Sequence, residues 1–435
     1  MASIELFASI QANKKPISYT NQFMRRKLIQ LTIAALLVSG CASKKTDTPT
    51  PQPQPAPQPE VTTPLTTSQL SASAAVDPAT AQQTIQGFGG ASILTWIADL
   101  TADQRAKAFS PSTGIGMSIL RVMVPTTTSA FAAEKPTIDA AKGYGAKVIA
   151  TAWNAPPSMM VGNHLSTTSY ADFAAYLSAY NTAVGGVYAI SPFNEPNYSG
   201  STWMQASSTE VANFVAAQGN NCGAPIMAPE PFNMDQTFIN AFLSNTAAAA
   251  NTSFLSGHIY GQTPYNLGNI GKQMWMTEHY TNSSISGDDW GNAMTAAKEI
   301  HDCMNAGWVA YVWWYIRRSY GPIDEGSNIT KLGYVMAQYA RFVRPGAVKI
   351  ACPANPTSGV YVTAYKSGTS LVIVIVNQNT STINQGFNLG GSAVTGFTRY
   401  VTTSSTNLGS YSFNISANSF SINLQPSSVT TLVSQ

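Results

Sequence analysis

The feature that most constrains the fold is the alternation of short apolar strands with helix-like segments over residues 84–345. Eight strand candidates occur there, and most are separated by stretches with apolar residues at helical spacing. The candidates are 84–92, 116–124, 147–153, 188–195, 225–231, 254–260, 273–280 and 310–316. Strands buried on both faces and alternating with helices favour a parallel sheet covered by helices. Eight of them predict an α/β fold, a (β/α)8 TIM barrel.

The pattern changes after about residue 346. GVYVTAYKSGTSLVIVIVNQ is typical of two strands joined at Lys-Ser-Gly, and the remainder is rich in Ser, Thr and Asn with period-two alternation. We therefore predict an attached antiparallel β-sandwich side domain over 346–435. The catalytic barrel is assigned to 71–345, and we expect some of residues 70–83 to add a strand to the side domain.

The N-terminal segment predicts export. Residues 24–41, MRRKLIQLTIAALLVSGC, have a basic start, an apolar core and small residues before a cysteine. This pattern indicates a signal peptide and is short for a membrane span. LVSGC resembles a bacterial lipobox, in which Cys41 would carry lipid; ordinary cleavage beside an incidental cysteine is the alternative. Residues 1–41 are thus an N-terminal extension with a lipoprotein signal, and Met24 is a second candidate for the start.

A Pro/Thr-rich linker follows over 42–70. Within it, the alternating prolines of TDTPTPQPQPAPQPE keep the chain extended and unable to pack. We expect an exported protein of the bacterial cell envelope, anchored at the outer membrane or cell surface, that touches a membrane only through the lipid at Cys41.

Composition argues against a nucleic-acid partner, and it does not decide whether the cysteines form a disulfide. Charged residues make up 10% of the chain, against roughly 25% in typical soluble proteins, so neutral polar side chains must wet the surface. A net charge of +3 without a basic run beyond the N-terminal region argues against nucleic-acid binding. Cys222, Cys303 and Cys352 lack metal-type spacing, and either one disulfide or plain core positions would suit them.

Two of the strand candidates end on a glutamate. Glu195 ends the fourth in SPFNEPNYSG, and Glu278 ends the seventh in MWMTEHY. Because the C-terminal ends of barrel strands meet at one mouth, we expect both side chains there. Glycoside hydrolysis needs such a pair, one carboxyl protonated and the other charged. Asn194 offers a neutral amide to a sugar hydroxyl. Asn-Glu-Pro alone also suits an ordinary strand-ending turn.

Aromatic residues are frequent in the same segments. Sugars stack their C–H faces on such rings, although an aromatic inside a strand is more often core. The residues are Trp96, Trp153, Tyr198, Trp203, Tyr260, Trp275, Trp313, Trp314, Tyr315 and Tyr320. Trp153 and Trp314, at or near strand ends, are the preferred sugar-facing candidates.

The motifs WNAPPSMM, FNEPNYSG, APEPFN, HIYG, MWMTEHY and YVWWYIRRSYGPIDEG, in this order, resemble glycoside hydrolase family 30. More narrowly, they resemble its bacterial glucuronoxylanases (glucuronoarabinoxylan endo-1,4-β-xylanases). The similarity runs from IQGFGGAS to the C-terminus. It implies a retaining mechanism with Glu195 as acid/base and Glu278 as nucleophile, and neither metal nor organic cofactor.

The resemblance also implies a pocket for a glucuronate branch. Arg318 matches the family's glucuronate-binding arginine, and a planar guanidinium suits a carboxylate. Salt bridges to Asp324 or Glu325 are the alternative for both arginines, and the favoured one for Arg317. The substrate-binding candidates are Asn194, Trp153, Tyr198, Tyr260, Tyr280, Ser283, Trp314, Arg318 and Tyr320.

The sequence thus predicts a monomeric, retaining endo-β-1,4-xylanase directed by (methyl)glucuronic acid branches of glucuronoxylan. Another family 30 β-glycanase, acting on unbranched xylan or β-glucan, is the first alternative, and RRSYG argues against it. A non-catalytic glycan-binding lipoprotein is the second, and the two intact glutamates argue against that.

Overall fold

The computed structural model describes residues 73–435, so Cys41, the signal segment and the linker lie outside the described residues. The first ten strands are β1 (Ala74–Ala75), β2 (Asp77–Thr84), β3 (Gly87–Ala91), β4 (Ile119–Met123), β5 (Lys147–Thr151), β6 (Met160–Val161), β7 (His164–Leu165), β8 (Ala189–Ser191), β9 (Ile226–Pro229) and β10 (Thr252–His258). The others are β11 (Met274–His279), β12 (Ala310–Tyr315), β13 (Val348–Ala351), β14 (Val360–Ser367), β15 (Ser370–Asn377), β16 (Ile383–Asn388), β17 (Gly396–Thr402), β18 (Gly409–Asn414), β19 (Ser419–Leu424) and β20 (Ser428–Ser434).

Helices follow most of the barrel strands. They are α1 (Ala102–Phe109), α2 (Lys135–Gly143), α3 (Tyr170–Ala183), α4 (Ser208–Gln218), α5 (Gln236–Leu243), α6 (Thr246–Asn251), α7 (Trp290–Asn305) and α8 (Lys331–Ala340). Local sequence explains their starts: Thr101 and Ser207 form capping boxes at α1 and α4, and Thr330 caps α8. Each cap satisfies a backbone N–H that the first helical turn leaves unpaired.

The barrel closes from parallel strands, as predicted. Strands β3, β4, β5, β8, β9, β10, β11 and β12 pair in that order, and β12 returns to β3. Each of the eight candidates contains most or all of one of these strands. The (β/α)8 prediction is confirmed.

The barrel interior is layered. Period-two alternation turns Ile119, Arg121 and Met123 of β4 inward. The lower layer is apolar and includes Ile119 and Trp275, both 0% exposed. Met123 belongs to an upper layer with Trp153. Arg121 therefore lies between the apolar lower layer and the upper layer, which is nearer the open mouth.

The side domain is a sandwich of two sheets. One has the order β18-β17-β20-β15-β14-β13-β2, and the other is β1-β16-β19. Alternate residues of β15 divide the first sheet: Ile373 and Ile375 join the sandwich core, whereas Val372 and Val374 pack with the barrel. The antiparallel sandwich prediction is confirmed, except that β1 pairs in parallel with β16. Both β1 and β2 precede the barrel in the chain.

The two domains share polar contacts as well as core. Trp290 Nε1 donates to Ser427 Oγ at 2.8 Å, and Gln338 Nε2 donates to Thr402 Oγ1 at 2.8 Å. The three described cysteines, Cys222, Cys303 and Cys352, are free thiols. Within residues 73–435, none of the helices has the length and apolar content that a membrane crossing requires.

Candidate active site

The structure brings the two strand-end glutamates together. Glu278 lies in β11, and Glu195 lies four residues beyond β8 with a φ of 43°, a strained conformation of the kind found at functional sites. One carboxylate oxygen of each, and one ring nitrogen of His258, lie within 4.8 Å of one another. The two glutamates are only 4% and 6% exposed. They form a compact, nearly dry pair at the barrel mouth.

Arg121 holds the site together from inside the barrel. It is 0% exposed, and its guanidinium donates to Glu278 Oε2 at 2.7 Å, Asn194 Oδ1 at 2.7 Å and Glu230 Oε1 at 2.9 Å. Its carbon Cζ also lies 4.5 Å from the ring centre of Trp153. The planar fork of an arginine suits several fixed acceptors at once. Arg121 therefore orients the nucleophile candidate and Asn194 together.

Glu230 is a buried carboxylate that pairs with Arg121 and His258; these three residues with Glu195 and Glu278 are called the cluster below. It accepts from Arg121, from Thr277 Oγ1 at 3.0 Å and from His258 Nε2 at 3.2 Å. Burial alone would raise its pKa, but the charge of Arg121 and the bond from His258 outweigh burial and lower the pKa to about 2. Its backbone oxygen also accepts from the amide of Glu195 at 3.1 Å. Glu230 thus stays ionised and braces the turn that carries the acid/base candidate.

His258 links the carboxyl groups. Its Nδ1 lies 2.8 Å from Glu195 Oε1 and 3.9 Å from Glu278 Oε2, and β10 pairs His258 directly with Glu278. Burial opposes its charged form, yet the charge of Glu278 and the bonds to Glu195 and Glu230 raise its pKa to about 9. The charged ring is therefore favoured, with both nitrogens protonated and donating to Glu195 and Glu230.

Burial sets the protonation of Glu195. It raises the pKa of Glu195 to about 7, with the charge of Glu278 adding to it, although His258 and Arg121 oppose the shift. A protonated Glu195 would lie beside Glu278, whose Oε2 accepts from the Arg121 guanidinium at 2.7 Å. The arrangement thus favours one carboxylic acid beside one carboxylate, the combination that glycoside hydrolysis uses.

In the described residues, Glu195, His258 and Glu278 are the only group with metal-ligand spacing. Both nitrogens of His258 already bond to carboxylates. The geometry therefore fits acid–base work better than metal ligation.

Tyrosines complete the wall beside the nucleophile candidate. Tyr260 Oη donates to Glu278 Oε1 at 2.8 Å, so the two oxygens of Glu278 are held by Tyr260 and Arg121. Phe232 stacks between Tyr198 and Tyr260, with ring centres 4.4 and 5.3 Å away. Tyr198 and Tyr260 are half-buried in this aromatic row.

The tryptophans differ in exposure. Trp96, Trp153 and Trp314 cluster with ring centres 5.5–6.0 Å apart. Trp153 is 2% exposed, whereas Trp96 is 45% exposed. Trp314 is half-buried. Trp153 packs against Arg121, and Trp96 offers the most open ring of the three.

The predicted branch pocket lies next to the cluster. The Arg318 guanidinium lies 5.0 Å from the ring centre of Tyr315, and Tyr280 packs on Tyr320 with ring centres 5.5 Å apart. Burial raises the pKa of Tyr280, and a hydrogen bond with Ser283 opposes this shift. Tyr280, after β11, and Tyr320, after β12, are therefore in contact, and the binding of a glucuronate branch by these residues with Arg318 and Ser283 stays a prediction.

The salt bridges expected of the two arginines are long. Arg318 Nη1 lies 3.7 Å from Glu325, and Arg317 Nε lies 3.9 Å from the same carboxylate. Arg317 also donates from Nη2 to the Ala98 oxygen at 2.7 Å. Asp324 instead accepts from Asn328.

Sequence reasoning did not assign Arg121, Glu230 and His258. A signal for Arg121 exists, since it is a lone charge in the apolar strand ILRVM, at an inward position by period two. APEPFN and HIYG carry Glu230 and His258, but only as parts of a family motif. Their partners come from distant strands, which no local pattern reveals.

Known proteins share both sequence and fold with this chain. No protein-family model matches it. It is 38% identical over 397 residues to glucuronoxylanase XynC of Bacillus subtilis (strain 168), covering 85% of this chain and 94% of that one. A GH30 endoxylanase from Clostridium papyrosolvens is similar in structure, with a TM-score of 0.78, 30% identity and coverage of 83% of this chain and 100% of that one.

A second solved structure gives the same result. The glycoside hydrolase family 30 subfamily 8 xylanase Xyn30A from Clostridium acetobutylicum has a TM-score of 0.78 at 29% identity, over 84% of this chain and 100% of that one. Identity at this level, over most of both chains, goes beyond a shared fold. Together with the paired glutamates at the barrel mouth, it shows that the chain belongs to glycoside hydrolase family 30, among its glucuronoxylanases.

Proposed function

We propose that the protein is a retaining endo-β-1,4-xylanase that cleaves glucuronoxylan and is directed by its glucuronate branches through Arg318. The observation that carries the chemistry is the approach of the Glu195 and Glu278 carboxylate oxygens to within 4.8 Å. Retaining glycosidases have carboxyl groups roughly 5–5.5 Å apart, and inverting ones about 6.5–9.5 Å. The close approach of one oxygen from each carboxylate favours the retaining arrangement over the inverting one.

The cluster suggests how the two steps proceed. Glu278, oriented by Arg121 and Tyr260, attacks the anomeric carbon while protonated Glu195 gives its proton to the leaving oxygen. A covalent glycosyl-enzyme forms. Glu195, now ionised, removes a proton from water, and that water releases the sugar with retained configuration. The charge that Glu195 gains lies beside His258, which donates to it at 2.8 Å.

The stereochemistry can be tested directly. In an NMR time course with a xylan substrate, the first product signal should come from the β-anomer, followed by slow mutarotation. Initial release of the α-anomer would contradict the retaining mechanism, whatever the substrate preference.

The relatives support the substrate. The three relatives described above, named glucuronoxylanase, endoxylanase and xylanase, share 29–38% identity with this chain. A xylan backbone is therefore the expected polymer, and the relative named an endoxylanase supports internal cleavage. The enzyme is expected to act as a monomer.

The branch pocket supports glucuronate selection. The side chain of Arg318 is 34% exposed, and its Glu325 contact at 3.7 Å is too long to use up its hydrogen-bond donors. A bidentate guanidinium–carboxylate contact is charge-assisted, and such bonds contribute roughly 1.5–3 kcal/mol. We expect cleavage at a fixed distance from each branch.

Arg318→Ala tests the selector. The variant should lose about ten- to a thousandfold in kcat/KM on glucuronoxylan and almost nothing on unbranched xylo-oligosaccharides. Arg317→Ala is the matched control, since Arg317 is the neighbouring arginine and bonds to a backbone oxygen. A wild-type enzyme that cuts linear xylan as fast as glucuronoxylan would refute the selector and leave the retaining chemistry standing.

We also propose that Cys41 carries lipid and that the enzyme is anchored to a bacterial envelope. The support is the basic, apolar and small-residue order of residues 24–41, followed by a proline-rich linker. Stable anchoring requires more than one acyl chain. Cys41→Ala should release the protein from membranes or block its processing, as cell fractionation would show; unchanged membrane association would refute the lipid at Cys41.

A further inference from the structure

The loop after β12 presents Arg318 from a tightly closed turn. The Gly321 amide donates to the Arg318 oxygen at 2.8 Å, and the Arg318 amide donates to the Ile323 oxygen at 3.0 Å. A side chain on Gly321 would lie 2.8 Å from the Tyr315 oxygen and 2.9 Å from the Arg318 nitrogen. The backbone of Arg318 is thus packed directly against Gly321, and a displacement of Gly321 would displace Arg318.

Thr330 ties this turn to helix α8. The side chain of Thr330 is fully buried, and its hydroxyl donates to the Gly321 oxygen at 2.8 Å. The same hydroxyl oxygen accepts from the Gly333 amide at 3.2 Å as the cap of α8. The Thr330 amide also donates to the Pro322 oxygen at 3.0 Å. One hydroxyl therefore joins the Arg318 turn to a helix packed against the barrel.

The opposite wall of the pocket meets the same point. Gly287, in the loop that carries Ser283, donates to the Ser319 oxygen at 2.7 Å and accepts from the Leu332 amide at 2.9 Å. A Cβ on Gly287 would collide with the Gly321 oxygen and lie 2.9 Å from the Thr330 hydroxyl. The two loops that line the branch pocket therefore contact each other where Thr330 holds Gly321.

We propose that Thr330 is a positioning residue for recognition of the glucuronate branch. Its hydroxyl fixes the Gly321 carbonyl, and through it the angle at which Arg318 faces the Tyr280 and Ser283 wall. This inference rests on the proposed glucuronate selection. A bidentate contact needs both guanidinium N–H groups aligned with one carboxylate, so a small rotation of the turn weakens it. Hydrolysis itself does not depend on Thr330, which makes no contact with the catalytic cluster in the described residues.

Thr330→Val tests the hydroxyl at nearly constant volume. It should lower kcat/KM on glucuronoxylan about three- to tenfold, mostly through KM, because the neutral hydrogen bond to the Gly321 oxygen is lost. Activity on unbranched xylo-oligosaccharides should stay unchanged. Thr330→Ser should restore the wild-type ratio. Thr101→Val is the matched control, because Thr101 also caps a helix with its hydroxyl, at α1. It should lower the melting temperature without changing the substrate ratio.

A second variant separates capping from positioning. Thr330→Asp keeps an acceptor for the Gly333 amide but has no donor for the Gly321 oxygen when ionised, so its substrate ratio should fall as in the valine variant. It also supplies the test if the valine variant does not fold. Equal losses on branched and unbranched substrates would show a merely structural role and overturn the proposal.

Hydrogen exchange distinguishes this failure from failure of the proposed function. Amides of residues 316–323 should exchange faster in Thr330→Val than in wild type, and Thr101→Val should leave them unchanged. Unchanged exchange there overturns the positioning role, even if Arg318→Ala proves the selector. If wild type shows no branch preference, the glucuronate proposal fails, and the positioning of the recognition pocket fails with it.

Discussion

The candidate catalytic cluster around Glu195 and Glu278 and the proposed branch pocket around Arg318 are built in opposite ways. Arg121, Glu230 and His258 are 0% exposed and hydrogen-bonded to one another or to the catalytic pair at 2.7–3.2 Å. Arg318 is 34% exposed, with its nearest carboxylate at 3.7 Å. Charges interact more strongly where water is excluded. Cluster substitutions should therefore affect every substrate, and pocket substitutions only branched ones.

The largest effect is expected at Glu195. Glu195→Gln cannot protonate the leaving oxygen, so kcat on both glucuronoxylan and unbranched xylan should fall by about 10²–10⁴-fold. An activated aryl glycoside, whose leaving group needs no proton, should still form the glycosyl-enzyme, and a burst of released phenolate would measure it. An equal loss of the burst with the aryl substrate would contradict the acid role.

Arg121 should come next, since it holds three acceptors. Arg121→Leu removes the guanidinium that pairs with both buried Glu230 and buried Glu278, so the free energy of unfolding should fall by about 3–5 kcal/mol. Denaturant unfolding would measure it, and activity on branched and unbranched xylan should fall together. Arg317→Leu is the control. A loss confined to the branched substrate would erase the proposed difference between cluster and pocket.

The pH dependence of kcat/KM should also be set by the catalytic cluster. Burial raises the pKa of Glu195 to about 7 from a usual 4.5, so the proton it must donate is present below pH 7 and is lost above it. Accordingly, kcat/KM should fall about tenfold per pH unit on the alkaline side. Arg318→Ala should keep the same alkaline decline in kcat/KM, because the groups that set the pKa of Glu195 are unchanged in this variant. A limb that moves with Arg318→Ala would contradict the separation.

Stability should depend on pH in the opposite sense. The pKa of Glu230 is lowered to about 2, so the stability it contributes is present above its usual value of 4.5 and is lost as pH falls through about 2. Thermal unfolding from neutral pH downward would show this. A melting temperature that does not fall between pH 4.5 and pH 2 would mean that Glu230 is not a buried ion pair.

The sequence predicted some residues of the cluster and of the pocket, but not others. The barrel strands and the positions of Glu195 and Glu278 follow from period, length and the common edge of strand ends. Family resemblance added Arg318 and its neighbours. The partners of Arg121 could not be predicted, since Asn194, Glu230 and Glu278 lie on other strands and meet it only when the barrel closes.

The exposed fraction of each tryptophan also could not be predicted from the sequence. Trp153 and Trp96 both follow barrel strands, yet one is 2% and the other 45% exposed. The difference arises because Trp153 is covered by Arg121 below and by Trp96 and Trp314 beside it. A position at a strand end indicates nearness to the mouth, but packing by residues from other strands and loops decides which ring a sugar can reach.

The smallest effect is expected at Glu325, which lies 3.7 Å from Arg318 and has a side chain 53% exposed. An exposed pair of this kind is worth about 0–1 kcal/mol, so Glu325→Gln should raise kcat/KM on glucuronoxylan by only about two- to threefold. The gain arises because the branch carboxylate no longer competes with a carboxylate for the guanidinium. It should vanish at high ionic strength, where exposed charges are screened, and be absent on unbranched xylan. Asp103→Asn, which removes an exposed carboxylate paired with Lys107 on α1, controls for net charge. Lower activity on glucuronoxylan in Glu325→Gln would mean that Glu325 holds Arg318 in position, and that the branch pocket depends on internal ion pairs as the cluster does.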